Sequence, residues 1–129
     1  MIKLCYKEYD YKLTLGAIKG FKKDTGEDIL FILSKLLEVW QESIGAPQRS
    51  RINQLYSVCD FELAAYAFYH LIKSKQDSIP LIEIEDAMFR VGVVPNNVDD
   101  EYCVPWPIVL VDLAYNIEQD FLAEMPAKK

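Results

Sequence analysis

The chain has 129 residues, 51% of them hydrophobic and 12% aromatic, and carries a formal net charge of −6 at neutral pH. That length suits one domain with a sizeable core, the low glycine and proline content argues against disorder, and the negative charge argues against a nucleic-acid backbone as partner. No apolar run approaches the roughly 18 residues of a membrane span, the start lacks the layout of a secretory leader, and Cys5, Cys59 and Cys103 are odd in number and far apart, so a reducing, cytoplasmic setting is expected.

Residues 2–6 (IKLCY) and 11–15 (YKLTL) have strand composition, and the polar KEYD between them suits a hairpin turn. LGAIKGFKKD then predicts a short helix capped by Thr14, with Leu15, Ile18 and Phe21 on one face. Gly16 and Gly20 weaken that helix but permit close approach of a neighbour. In EDILFILSKLLEVWQES, the residues Ile29, Ile32, Leu33, Leu36, Leu37 and Trp40 form the stripe of an amphipathic helix, which Gly45 and Pro47 end. A second helical region runs from about residue 50 to 75. Phe61, Ala64, Ala65, Phe68, Leu71 and Ile72 mark one of its faces, while Leu63, Tyr66 and Tyr69 lie off it. Such a helix is either central or covered by a partner. LIEIEDAMFRV follows, with Leu81, Ile84, Met88 and Val91 in register and Gly92 placed as a C-terminal stop. VVPNNVDDEYCVPWP reads as a long loop exposing Trp106. The last helix, from about Pro107 to Met125, has two apolar faces, one of them carrying Val111, Tyr115 and Leu122. The expected fold is mainly α, a single domain over 1–129 of about five helices. It comprises a short N-terminal β-hairpin at about 2–15, a helical body at about 16–125 and a polar tail at 126–129.

Asp24-Thr25-Gly26 is the triplet that bears the catalytic carboxylate of pepsin-like and retroviral proteases. In those enzymes it sits between apolar strands, and two such carboxylates share a proton. Here Lys22 and Lys23 precede it and Glu27 and Asp28 follow. The residues read instead as a junction between helices: two lysines at a helix C-terminus, then Thr25 capping the next helix in a T-x-x-D pattern, with Glu27 and Asp28 in its first turn. Phosphate-loop and nucleophile-elbow spacings are absent. One histidine, His70, excludes a multi-histidine metal site and suits packing better than ligation. No catalytic residue, cofactor or metal is expected.

The surplus is aromatic and apolar, with eight Tyr, six Phe and two Trp. Tyr66, Tyr69, Trp106, Val111, Tyr115 and Leu122 are the expected protein interface, since aromatics dominate binding hot spots.

The opening hairpin, the LTLGAIKGFKKDTGEDI element leading into a long helix, the acidic IEIEDAMFRVG helix and the helical tail together resemble the tail assembly chaperones of long-tailed bacteriophages. The resemblance covers most of the chain. It implies a small, mostly helical, non-enzymatic and self-associating protein of the host cytoplasm. Such a protein coats the tape measure protein, keeps it soluble and helps deliver tail tube protein to it. Many such genes also yield a longer product by ribosomal slippage near the end of the short one, and Ala127-Lys128-Lys129 can be encoded by the adenine run that slippage requires. Two other readings are a small acidic inhibitor or immunity-type protein, which predicts acids gathered on one face, and a carboxylate-dependent hydrolase, which predicts a deep pocket with two acids of raised pKa.

Overall fold

The computed structural model describes residues 2–4, 7–76, 78–90 and 104–120 in full, and 91 and 121–124 as helix backbone. In chain order the elements are β1 (Ile2–Leu4), β2 (Lys7–Tyr9), α1 (Leu15–Thr25), α2 (Ile29–Glu42), α3 (Gln48–Val58), α4 (Phe61–Lys73), α5 (Leu81–Val91) and α6 (Trp106–Glu124). The protein is mainly helical, with a short antiparallel hairpin at its N-terminus.

The hairpin is tighter than its composition suggests. β1 pairs β2 with Ile2 opposite Tyr9, Lys3 opposite Glu8 and Leu4 opposite Lys7. The KEYD expected as a turn therefore supplies the second strand, and the expected strand at 11–15 does not form. The reason is burial at period two. Ile2, Leu4 and Tyr9 all point into the core, and the aromatic of the polar segment supplies the inward residue. Residues 11–14 instead run across the end of α4. The Lys12 amide donates to the Leu71 carbonyl at 3.0 Å, near the helix end where carbonyls lack intrahelical partners.

Thr14 caps α1 as expected, its Oγ1 accepting from the Ala17 amide at 3.1 Å. The buried face of α1 is Ala17 and Phe21, while Leu15 points outward and is 65% exposed. Lys22 and Lys23 lie in the last turn. Gly26 ends the helix with φ of 78°, a left-handed conformation that a side chain disfavours. The cap of α2 corrects the T-x-x-D expectation. Asp28, not Thr25, is the N-cap, its carboxylate accepting from the Leu30 amide at 3.0 Å, and no acid lies in the first turn. Thr25 belongs to α1, where its hydroxyl donates to the Phe21 carbonyl, so its side chain closes one helix rather than opening the next.

The region expected as one helix from about 50 to 75 divides at Cys59 and Asp60, which raises the helix number to six among the described residues. Asp60 is the local cause: its carboxylate accepts from the Leu63 amide at 2.9 Å and starts α4. The α2–α3 turn is held by Arg51, whose guanidinium carbon lies 3.5 Å over the Trp40 ring. The same guanidinium donates to the Trp40 carbonyl and to Ser43 Oγ.

α6 and α4 occupy the centre. α6 packs against α2, α3, α4 and β1, while α4 packs against α1, α5 and α6. A helix with neighbours on several sides needs apolar residues on more than one face. Leu110, Leu113, Ala114 and Ile117 are buried, and so is Val111 from the second face. Gly92, Cys5, Cys103 and most of the expected loop lie outside the described residues.

Candidate functional site

The five expected interface residues whose side chains are described do not form one surface. Trp106 is the first residue of α6 and only 1% exposed, packed edge-on against Phe61 at 6.1 Å and tilted against Tyr56 at 5.8 Å. Its expected exposure is corrected: the three aromatic rings form a cluster that seals α6 onto α3 and α4. Val111 is likewise buried, because the central position of α6 covers that part of its second face. Tyr66 and Tyr69 are half-buried and flank His70. Tyr115 is 50% exposed. The Leu122 side chain lies outside the described residues.

His70 and the suspect triplet meet in space. Nε2 of the buried His70 lies 2.7 Å from Oδ2 of Asp24, and since a carboxylate only accepts, the imidazole N–H donates. Tyr66 stacks on the ring at 6.5 Å and Tyr69 meets it edge-on at 5.1 Å. Gly20 makes room for it: a Cβ at that position would fall 2.6 Å from Cε1 and 2.7 Å from Nδ1. The second ring nitrogen therefore faces the α1 backbone, where a nucleophile or substrate would have to sit in a catalytic dyad. The pair fastens α1 to α4. The sequence suggests a surface or half-buried packing role for His70, but the ring is buried, and its partner Asp24 is not legible from the sequence.

Other titratable groups are shifted by their surroundings. Burial, aided by neighbouring Asp60, pushes the Cys59 thiol up to about 12, so it stays protonated. Burial also raises the Tyr11 phenol, against a hydrogen bond with the Asn116 side chain. Glu83 on α5 is held below the usual carboxylate range, first by the ammonium of Lys7 at 3.1 Å and then by the Tyr9 hydroxyl at 3.0 Å. Among the described residues no cluster of three metal-ligating side chains forms, and no helix is long and apolar enough to cross a membrane.

Several large apolar side chains stay outside the helical core. Phe89 is 79% exposed, Ile44 75%, Ile82 69% and Phe31 63%. Ile82 and Phe89 belong to α5, opposite its buried Ile84, Ala87 and Met88. They line an open groove of about 520 Å³ with Phe61, Glu83, Glu85 and Asp86. Neither was among the expected site residues. Their signal was present all the same: two large apolar side chains a heptad apart, on the side of an amphipathic helix that should be polar. No family model matches the chain, and no curated protein and no solved structure matches it significantly.

Proposed function

We propose that this protein is a non-enzymatic binding protein that covers apolar helical surfaces of another chain, acting as a tail assembly chaperone for a phage tape measure protein in the host cytoplasm. One observation carries the reading: large apolar side chains stay outside although the core is complete without them. Phe89 and Ile82 are the plainest case. Exposed apolar area of this kind favours association, at about 25 cal/mol per Å² removed from water. The layout resemblance of hairpin, glycine-bearing α1, acidic α5 and helical tail supplies the identity of the client. The acidic surface keeps a complex soluble.

The groove beside α5 fits a hydrolase poorly. It is open, and its Glu83 is held ionised rather than raised toward the range of a general acid. Delivery of tail tube protein through a longer slippage product, and self-association through exposed faces, belong to the same proposal.

The test is co-expression with a tape measure protein that is insoluble alone. A soluble complex that co-elutes with this chain is expected. A client that stays in the pellet while this chain remains soluble overturns the reading.

A further inference from the structure

From the outer face of α5 we infer a docking site for an α-helix of another protein whose seam places apolar side chains one heptad apart with Lys or Arg between them. The inference deepens the binding reading above and rests on it for its biological setting. Ile82, Glu85, Asp86 and Phe89 follow one another at i, i+3, i+4 and i+7, so they share one stripe of α5. The two apolar ends stand about 10 Å apart at 1.5 Å rise per residue. Both are largely exposed, and Phe61 of α4 forms part of the groove wall beside them. The stripe thus reads apolar, acidic, apolar.

Charge selects the occupant. Among the described residues the groove is lined by Glu83, Glu85 and Asp86 and by no basic side chain. Glu83 is engaged by Lys7 and Tyr9, and Asp86 by Arg90 Nε at 2.9 Å. Among the described residues no basic group pairs with Glu85, which lies between the two apolar anchors. A Lys or Arg on the incoming helix completes that site. A second copy of this face does not, because Glu85 and Asp86 would meet their own equivalents, and like charges across an interface are costly. The surface is small, since α5 has 11 residues and spans about 16 Å. Contacts of that size are weak and transient, which suits a client that must later be released.

Two labelled three-heptad helical peptides test this by fluorescence anisotropy with the whole protein. One carries leucines along its seam flanked by lysines, and the other has glutamates in place of the lysines. The lysine peptide is expected to bind at least about tenfold more tightly. Phe89→Ser and Ile82→Ser, both at exposed positions and checked for unchanged melting, should each weaken it by about tenfold. Glu85→Lys should reverse the order of the two peptides. Equal binding of both peptides, no binding of either, or binding untouched by these variants overturns the assignment. So does a peptide-insensitive dimer that Phe89→Ser dissolves, which would give the face to a second copy. Phe89→Ser in the co-expression experiment separates the two claims. If it solubilises the client as well as the unaltered chain does, the α5 assignment falls and the chaperone reading stands. If the unaltered chain fails there while the peptides behave as expected, the docking face stands and the chaperone reading falls.

Discussion

The imidazole of His70 in α4 donates to the carboxylate of Asp24 in the last turn of α1 at 2.7 Å, joining residues 46 apart in the chain. The ring lies directly over Gly20, so the fit of α1 onto α4 depends on a missing side chain as much as on a hydrogen bond. In an isolated helix Gly→Ala stabilises by about 1 kcal/mol. Here the added methyl would displace a buried, hydrogen-bonded ring, and overpacking of that kind costs about 1–3 kcal/mol. Gly20→Ala is therefore expected to lower stability, and to raise it in a His70→Ala background where the ring is gone. Urea denaturation of the four proteins of this cycle checks the sign; a stabilising Gly20→Ala in the unaltered background refutes the close fit.

Asp24→Ala should cost about 0.5–1.5 kcal/mol, the usual net worth of one hydrogen bond, and leave partner binding unchanged. The same denaturation measurement, paired with the co-elution assay, decides it. Peptidase activity that vanishes with Asp24 would restore the protease reading of the triplet.

Trp106→Ala removes a fully buried indole from between Phe61 and Tyr56. A loss of about 3–5 kcal/mol is expected, because large-to-small changes in a core lose both transfer free energy and packing. Thermal unfolding should show it plainly. A variant that melts normally yet fails to bind a partner would return Trp106 to the surface.

Arg51 joins α3 to the end of α2 through stacking on Trp40 and hydrogen bonds to the Trp40 carbonyl and Ser43. Lysine cannot reproduce a planar cation with a fixed fork of donors. Arg51→Lys should thus cost nearly as much as Arg51→Ala, about 1–2 kcal/mol. Full rescue by lysine, measured by chemical denaturation, would mean that only the charge matters.

The Glu83 carboxylate, held low by Lys7 and Tyr9, ties the hairpin to α5. A carboxylate whose folded pKa is depressed stabilises fully above its ordinary value of about 4.3, and that contribution disappears as pH falls through the lowered folded value. The stability difference between the unaltered chain and Glu83→Gln should therefore be present at pH 6 and shrink on acidification below the ordinary carboxylate range. It should be modest, since the group is partly solvated. A difference that is constant across that range would show that ionisation of Glu83 contributes nothing.

Helix content, the Thr14 cap and most of the buried stripe of α2 were all decided by the order of residues. Each depends on neighbours within about one turn or on a period that runs along a single helix. The tight hairpin is not legible in the sequence because Tyr9, the inward residue of β2, stands in a stretch of otherwise polar residues. The break at Asp60 is hidden because apolar periodicity continues on both sides of it.

Tertiary structure alone decided which apolar faces are used up. α6 has two apolar faces because it has neighbours on several sides, so Trp106 and Val111 went inside, whereas Ile82 and Phe89 of α5 stayed outside, on the side turned away from the other described helices. The Asp24–His70 bond belongs to the same class. A sequence fixes what each helix face is made of, but burial depends on which helices come together, and that is set by packing among residues far apart in the chain.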